Sequence, residues 1–449
     1  MAVLEKGPIG LGNVGRNTTI IRSTYYTPEN IRFYDFSLKL WEGLEQELNF
    51  NAMVSQRGVV YTYHTDGQRD VMTGRANDMR LAGADCIELD RAALKSLIPP
   101  ISLDNQRFPV LGAFMQPRGG TVRHDAVAWG YARGASEAGV DIIEHCEVTG
   151  LRQASGRITG VETTRGFIGA DTVCLAVAGH SSHLASMAGI RLPIESHALQ
   201  AFVSESIKPF LDVVLMFGAG HFYISQSDKG GMVFGGSTDA HNTYAQRGTQ
   251  WIAQEVASEG VALLPELANL RILRQWGGIM DMTMDGTPII GRLPLEGLVM
   301  NGGWCYGGFK AIPAGGYTTA HLIARGEAHP HLEAWFRVSR DASGRIVDRQ
   351  VSVENPRMFA AAREYRYDAD VRVDGASRTT RPAERWRNLL HAPWEGWRPV
   401  IFKRYSAVIP NLQAMPDIGN SDDGNFSAEK VIALKPDVLF IAEWTYKSL

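Results

Sequence analysis

The sequence predicts an α/β fold: a Rossmann-like sheet that lacks its first strand and helix, an inserted antiparallel sheet, and an irregular C-terminal extension. Three observations predict it. Residues 2–5, Ala-Val-Leu-Glu, are an apolar run that ends in an acid and is followed by a glycine-rich segment, which is typical of a buried strand followed by a backbone-rich loop. Residues 197–245 contain strand-like segments separated by glycine pairs, as expected for a separate antiparallel sheet. After about residue 330, Arg, Ala, Ser and Asp dominate and apolar periodicity weakens.

The elements of the main region follow from the spacing of apolar residues. Apolar residues recur at helical spacing in 36–48 and 125–138, so both segments are predicted to be helices. Between residues 139 and 178, β-branched runs predict a strand, a pair of hairpin-like strands and an apolar strand that ends at Gly179. This order resembles the edge of a nucleotide-binding sheet with a β-meander attached.

These elements divide the chain into three predicted regions. Residues 1–330 form the main domain, and its substrate-binding insert is drawn from about 45–115 and 190–275. Residues 331–395 are predicted to be a linker or irregular segment, and 396–449 an αβ fragment. A chain of 449 residues with 45% hydrophobic content can bury a large core over several domains.

Composition excludes several function classes. The 45 basic residues nearly balance the 48 acidic ones, for a net charge of −3, and they form no basic stripe, so no nucleic acid is expected as a partner. No apolar run is long enough to span a membrane, and the acidic start is unlike a signal peptide. The four cysteines are far apart, which argues against a disulfide framework. We therefore expect a soluble cytoplasmic protein.

Glu5 is the first candidate binding residue. It ends an apolar strand before a glycine loop, where the dinucleotide-binding sheets of FAD and NAD(P) proteins carry an acid that accepts hydrogen bonds from a ribose. An ordinary acid at a strand end is the alternative. In such sheets the phosphate-binding glycine turn and the helix after it lie about 20 to 30 residues before this acid, whereas four residues precede Glu5 here.

A series of motifs gives the chain a family resemblance. It begins with the segment from Gly7 to Ser23 and continues with Ser-Gln-Arg-Gly-Val at 55–59 and Arg-Gly-Gly-Thr-Val-Arg-His-Asp at 118–125. It ends with Gln-Trp-Gly-Gly at 275–278 and Gly-Gly-Trp-Cys-Tyr-Gly-Gly-Phe-Lys at 302–310. In this order the motifs resemble the β subunits of heterotetrameric sarcosine oxidases, within the FAD-dependent amino-acid oxidase family.

The resemblance implies two flavins. FAD is expected between the Rossmann-like sheet and the substrate sheet, and FMN is expected to be covalently attached to His124. A neutral imidazole near pH 7 is a suitable nucleophile for such an attachment. An isolated histidine before an aspartate would more often simply begin a helix, and the family resemblance is what favours attachment. The residues that the resemblance implies for FAD are Glu5, Lys6, Asn13, Arg16, Asn17, Thr18, Val148, Ala178, Gly179, Gly278, Gly303, Gly307, Gly308 and Phe309.

Arg22 and Lys310 are the candidate catalytic residues. They match the two cations that, in related monomeric sarcosine oxidases, hold the substrate carboxylate. A forked guanidinium and a point-charge ammonium together determine both the position and the orientation of a carboxylate; two solvated surface charges are the alternative. The resemblance implies oxidative demethylation of sarcosine or a related N-methyl amino acid, α, γ and δ partner subunits, and tetrahydrofolate bound through the α subunit.

Two readings other than an active enzyme stay open. A sheet without its phosphate-binding turn is compatible with a catalytically inactive flavoprotein. Residues 415–439 resemble part of periplasmic solute-binding proteins of the iron-siderophore type, with a helix predicted at 427–435 and a strand at 437–442, so a solute-binding or interaction protein is the other alternative. No metal site is predicted, because His180 and His183 have no third ligand near them in sequence.

Overall fold

The computed structural model describes residues 1–332, apart from 26–27, 106, 219–221, 240 and 284–285, together with 338–340, 346–348, 389–390 and 438–439. The chain divides into two compact units, Met1–Gln350 and Val351–Leu449. No helix in the described part of the chain is both long enough and apolar enough to span a membrane.

The first unit contains seven described α-helices and twenty described strands. The helices are α1 (Pro28–Leu48), α2 (Asp66–Leu81), α3 (Arg91–Leu97), α4 (His124–Glu137), α5 (Ser181–Ser186), α6 (Gln250–Leu263) and α7 (Ile312–Arg325). The strands are β1 (Ala2–Leu4), β2 (Ile20–Ile21), β3 (Val59–Tyr63), β4 (Ile87–Leu89), β5 (Gly112–Gln116), β6 (Gly120–Thr121), β7 (Asp141–Ile143), β8 (Val148–Ala154), β9 (Arg157–Thr163), β10 (Gly166–Gly169), β11 (Val173–Leu175), β12 (Ile194–Ser206), β13 (Val214–Met216), β14 (Tyr223–Gln226), β15 (Gly231–Thr238), β16 (Ile272–Thr283), β17 (Ile289–Arg292), β18 (Leu298–Gly302), β19 (Val338–Arg340) and β20 (Ile346–Asp348).

The Rossmann-like part of the first unit contains two parallel strand pairs in separate sheets, and the second sheet also includes one antiparallel strand, β17. Strand β1 pairs in parallel with β7, and β11 pairs in parallel with β18, which also pairs with β17. Strands β8, β9 and β10 form the predicted antiparallel meander. Apolar side chains of the meander pack with those of β11, β17 and β18 in one core cluster, so the meander is anchored to the parallel strands by hydrophobic burial.

The inserted sheet has eight strands, drawn from residues 59–116 and 194–283, in the order β16-β12-β15-β14-β13-β3-β5-β4. Six of its seven neighbouring pairs are antiparallel, and β13 runs parallel to β3. One face packs into an apolar core that includes Phe202, Phe222, Leu215 and Val256 of α6. The predicted insert is therefore present as a mixed sheet, because two separate stretches of chain meet at the β13–β3 pair.

Two helix boundaries differ from the sequence prediction. Helix α1 begins at Pro28 instead of residue 36; proline is favoured in a first helical turn, and Phe33 and Tyr34 are buried on the added turns. Helix α4 begins at His124 itself, not after it.

The second unit is described only at two short strands, β21 (Leu389–Leu390) and β22 (Val438–Leu439), which pair in parallel. Apart from β22, the αβ fragment predicted for 396–449, including its helix, lies outside the described residues. Most of the linker predicted for 331–395 also lies outside them.

Candidate active site

The glycine-rich segment 7–18 is held against strand β16 by side-chain bonds to the backbone. Asn13 bonds in both directions with Ile279: its Nδ2 donates to the carbonyl oxygen at 2.5 Å, and its Oδ1 accepts from the backbone N–H at 3.1 Å. The indole Nε1 of Trp276 donates to the carbonyl oxygen of Arg16 at 2.8 Å. Because the segment is mostly turn, these bonds determine where its backbone lies.

This segment forms one wall of a first cavity of about 320 Å³. The other walls are strands β12 and β16, the turn after β18 and the start of α7. The volume is within the range of small-molecule sites. Seven of the residues predicted near FAD line it: Asn13, Arg16, Asn17, Thr18, Ala178, Gly278 and Gly308.

Glycines leave open space along the walls of the first cavity. A Cβ atom on Gly278 would come no closer than 3.6 Å to its nearest neighbour, the Asn13 Oδ1, and one on Gly316 would meet no atom within 4 Å. Both residues line the cavity. The walls therefore combine glycine backbone with the apolar side chains of Met280 and Ile312, and they fit a planar ring system such as a flavin.

Lys310 is held beside the first cavity through its backbone and its ammonium group. It is buried in a 3-10 turn that helix α1 fixes: Ser37 Oγ and Trp41 Nε1 both donate to the Lys310 carbonyl oxygen, at 2.7 and 3.0 Å. The Lys310 Nζ donates to the carbonyl oxygen of Tyr306 at 2.8 Å. Burial, with a further contribution from the positive charge of Arg22, holds the pKa of Lys310 well below its usual range.

Arg22 is the second cation of this region. Its guanidinium donates to the carbonyl oxygen of Thr24 and to the Thr24 Oγ1, the latter at 2.9 Å. It also lies over two aromatic rings, 4.8 Å from the centroid of Tyr25 and 5.5 Å from that of Tyr61. Because Arg22 and Lys310 repel each other, an anion bound to both would be stabilised by relief of that repulsion.

Two tyrosines that the sequence did not single out lie in the same region. The rings of Tyr25 and Tyr34 stack at a centroid distance of 3.8 Å, and a Cβ atom on Gly307 would meet both hydroxyls. Burial raises the pKa of Tyr25 to about 12 and that of Tyr34 well above its usual value. Both hydroxyls are therefore protonated at neutral pH and able to donate hydrogen bonds. Both tyrosines precede the helix predicted at 36–48 and follow the first motif, which ends at Ser23, so nothing in the sequence singled them out.

Asp281 is a further residue that the sequence did not reveal. It lies on β16, is 3% exposed and lines the first cavity. Burial raises the pKa of this carboxyl to about 6. The sequence does carry one indication: Asp281 interrupts the otherwise apolar run Ile-Met-Asp-Met at 279–282. An acid that is buried with apolar neighbours is uncommon and often has a specific role.

A second cavity of about 910 Å³ contains His124. It lies between the glycine-rich segment and strands of the inserted sheet, and Arg16, Asn17 and Thr18 line both cavities. Burial lowers the pKa of His124, so its imidazole is neutral at pH 7. The other basic residues on its walls are Arg57, Arg123, Lys229 and Arg274, a set that suits an anionic ligand such as a phosphate.

The remaining predicted residues line neither of these two cavities. Glu5 and Lys6 lie at the end of β1, where the Glu5 Oε1 accepts from the N–H of Gly7 at 2.8 Å and Lys6 pairs with Glu147 at 2.6 Å. Val148 begins β8, next to Glu147. The others adjoin the first cavity in sequence or in space: Gly179, Gly303, Gly307 and Phe309.

Comparison with known proteins identifies the family. The FAD dependent oxidoreductase family matches residues 1–322. The sarcosine oxidase subunit beta of Rhizobium meliloti (strain 1021) is 60% identical over 358 residues, which cover 80% of this chain and 86% of that protein. The chain belongs to the FAD-dependent oxidoreductase family. Among FAD-dependent oxidoreductases, the sarcosine oxidase subunit beta of Arthrobacter sp is also similar, at 47% identity over 78% of this chain and 86% of that protein.

Solved structures agree with this family assignment. L-proline dehydrogenase from P. horikoshii superposes with a TM-score of 0.71 and 27% identity, over 75% of this chain and 89% of that chain. Glycine oxidase from Geobacillus kaustophilus has a TM-score of 0.69 at 21% identity, over 76% of this chain and 92% of that chain, and shares the fold. The predicted α/β fold and FAD-dependent oxidoreductase class are confirmed. Neither an inactive flavoprotein nor a solute-binding protein is favoured by these matches.

Proposed function

We propose that the chain is the β-type subunit of a flavoenzyme that oxidatively demethylates sarcosine or a related N-methyl amino acid. The observation that carries the proposal is the cation pair, Arg22 and Lys310, beside a cavity that fits a flavin ring. The relatives named as sarcosine oxidase subunits beta support the substrate class.

The two cations have different roles in binding a carboxylate. The Arg22 guanidinium is kept in place by Thr24 and by the Tyr25 ring, and its fork can bind both carboxylate oxygens. The Lys310 ammonium supplies a charge from a buried position. Binding the carboxylate there restricts the rotation of a small amino acid, so its N-methyl group is held in one orientation.

The residues that would hold FAD are those on the glycine-lined walls, with Asn13, Arg16 and Gly278 on one side and Gly308 on the other. We propose that Glu5 accepts hydrogen bonds from the ribose. When bound, FAD supplies an acceptor for the hydride of the N-methyl carbon. Exclusion of water by the apolar wall and by the stacked Tyr25 and Tyr34 strengthens the electrostatic interactions of the carboxylate in the site.

Rapid mixing of the FAD-loaded protein with sarcosine under anaerobic conditions tests the proposal. We expect the visible flavin absorbance to bleach with sarcosine, and not with glycine, which has no N-methyl carbon. Lys310→Met should weaken substrate binding by about 10- to 100-fold, because a hydrogen bond to a charged group contributes about 1.5–3 kcal/mol. Arg22→Lys keeps the positive charge but loses the forked guanidinium, so it should weaken substrate binding less than Lys310→Met does. A wild-type protein that stays fully oxidised with sarcosine would overturn the proposal.

We further propose that His124 is the attachment residue of a covalently bound FMN in the second cavity. A neutral, half-buried imidazole at the first position of α4 supports this, as do the basic side chains around the cavity. Acid precipitation of the protein produced with its partner subunits should leave yellow colour in the pellet. His124→Asn should lose that colour, and His183→Asn, an exposed histidine on α5, should keep it. A colourless wild-type pellet would contradict the attachment.

The remaining parts of the proposal concern assembly. We propose that the chain works with α, γ and δ subunits, and that the one-carbon unit passes to tetrahydrofolate bound through the α subunit. Residues 1–330 then form the oxidoreductase domain, with the substrate-binding insert at about 45–115 and 190–275. The four free cysteines support work in a reducing compartment such as the cytoplasm.

A further inference from the structure

Asp281 makes contacts that the flavin and carboxylate sites do not require. Its Oδ2 accepts the N–H of Gly303 at 2.5 Å, and the carboxylate also accepts the N–H of Trp304. The Asp281 backbone carbonyl accepts the N–H of Cys305 at 3.1 Å. One residue of β16 therefore binds three consecutive N–H groups of the turn that follows β18.

That turn, residues 303–306, has a backbone that needs support. Gly303 has φ +75° and Cys305 has φ +50°, and a non-glycine residue in the left-handed region is destabilised unless its surroundings hold it there. The N–H of Thr283 donates to the Cys305 Sγ at 3.3 Å. Strand β16 thus holds Cys305 through the Asp281 backbone carbonyl and through Thr283, while the Asp281 carboxylate holds the N–H groups of Gly303 and Trp304.

The same turn carries the acceptor for Lys310. The carbonyl oxygen of Tyr306 accepts from the Lys310 Nζ at 2.8 Å, and the side chain of Lys310 is buried. The α1 helix holds the backbone of Lys310 through its carbonyl oxygen, whereas the acceptor of its ammonium group lies on the turn. The direction of the ammonium therefore depends on where the turn places the Tyr306 carbonyl.

We propose that Asp281 is a positioning residue: by binding the N–H groups of the 303–306 turn, it fixes the Tyr306 carbonyl and so orients the Lys310 ammonium. This inference deepens the proposed function, on which it rests for the role of Lys310. The carboxylate acts through the turn and does not itself touch the substrate.

The first test needs neither FAD nor activity. The full chain is reductively methylated with formaldehyde and sodium cyanoborohydride, which reduces the imine, and the modification rate of Lys310 is followed by peptide mass spectrometry. Asp281→Asn removes the negative charge that strengthens the hydrogen bonds from the N–H groups of the turn. The Tyr306 carbonyl should then hold the Lys310 ammonium less firmly, and we expect Lys310 to be modified about tenfold faster. Asp281→Glu keeps the charge and should stay nearer to wild type. Glu259→Gln neutralises another buried carboxyl, on α6 away from the turn, and should stay within about twofold of wild type.

An unchanged Lys310 rate in Asp281→Asn would overturn the inference, and so would an equal increase in Glu259→Gln. If Asp281→Asn does not fold, Gly303→Ala replaces it. Gly303 donates its N–H to Asp281, and a Cβ atom at φ +75° strains the backbone of the same turn. We expect the same increase in Lys310 modification there, and no increase would overturn the inference.

The second test separates this inference from the proposed function. FAD-loaded protein is titrated with acetate, as a bare carboxylate, and the flavin absorbance reports binding. We expect Asp281→Asn to weaken acetate binding and raise KM for sarcosine about tenfold, with a smaller change in kcat and in FAD affinity. If wild type binds acetate and oxidises sarcosine while Asp281→Asn matches it, only the inference fails. A wild type that does not oxidise sarcosine counts against the proposed function, and the methylation result still decides the inference.

Discussion

Two buried carboxylates, Asp35 and Asp281, are held by specific partners. Asp35 pairs with Lys39 at 2.8 Å and with Arg118 at 3.0 Å, and Asp281 accepts backbone N–H groups. Glu259 differs from them: it is 7% exposed, and its Oε2 has no hydrogen-bond partner among the described residues. An ionised carboxylate that is desolvated without such bonds destabilises the fold.

Glu259 should make stability depend on pH. Burial, followed by the negative charge of Glu255, raises its pKa from 4.5 to about 7 in the folded state. The folded state therefore binds the proton more tightly than the unfolded state, so stability falls as pH rises from about 4.5 and the full loss is present above about 7. Glutamine cannot ionise, so the Glu259→Gln protein does not lose stability as pH rises. We expect its free energy of unfolding at pH 8 to exceed that of wild type by about 1–3 kcal/mol.

Chemical unfolding at several pH values measures this difference. The stability advantage of Glu259→Gln over wild type should shrink toward zero near pH 4.5, because the wild-type carboxyl is already protonated in the folded state at that pH. Glu255→Gln, the exposed neighbour on the same helix, is the control and should show only a small effect. A gain that is independent of pH would mean that ionisation of Glu259 is not its cause.

At the scale of elements, helix α1 and strand β16 organise the site. Helix α1 bonds the Lys310 carbonyl, and β16 holds the glycine-rich segment and the 303–306 turn. Glycine has opposite roles in the two places. Gly43 on the exposed side of α1 has open space around it, whereas a Cβ atom on Gly179 would lie 2.7 Å from the carbonyl oxygen of Ile279 on β16.

These two glycines give a matched pair of substitutions. Gly43→Ala should raise the free energy of unfolding by about 0.5–1 kcal/mol, because alanine lowers the entropy cost of forming a helix. Gly179→Ala should lower it by about 1–3 kcal/mol, because the methyl group pushes the turn at Ala178–His180 away from β16. Thermal unfolding monitored by circular dichroism checks both. A stable Gly179→Ala protein would show that the two elements separate without cost.

At the scale of the whole molecule, a ligand in the first cavity contacts the glycine-rich segment, both long strands of the inserted sheet and α7 together. Such a ligand binds only the folded chain, so it should stabilise it by mass action. We expect FAD at 100 times its Kd to add about 2.7 kcal/mol, seen as a concentration-dependent rise in Tm. NAD⁺, a dinucleotide without the flavin ring, is the ligand control.

A cavity-filling variant tests whether the FAD-dependent rise in Tm comes from binding in the first cavity. Gly278→Leu projects a side chain into the first cavity, and we expect it to lose most of the FAD-dependent rise in Tm. An equal rise in this variant and in wild type would mean that FAD binds elsewhere on the molecule.

Much of this organisation could be predicted from local pattern. The strand before the glycine-rich segment, the meander of β8 to β10 and the strands around the Gly-Gly pairs are all present. The first of these was predicted to be buried, and this is wrong: Ala2 and Val3 of β1 are exposed. The early start of α1 was missed, since residues 28–35 mix charged and aromatic side chains and their burial depends on packing against distant elements. The parallel β13–β3 pair was missed because its strands lie more than 150 residues apart.

The sequence by itself determined the family, the α/β class and the identity of the candidate cations Arg22 and Lys310, because ordered motifs and apolar periodicity are local properties of the chain. Only the tertiary structure decided that Asp281 meets the turn at Gly303 and that Tyr306 meets Lys310. The physical reason is desolvation: a carboxylate and an ammonium acquire these roles when folding buries them and leaves a few backbone groups as their partners.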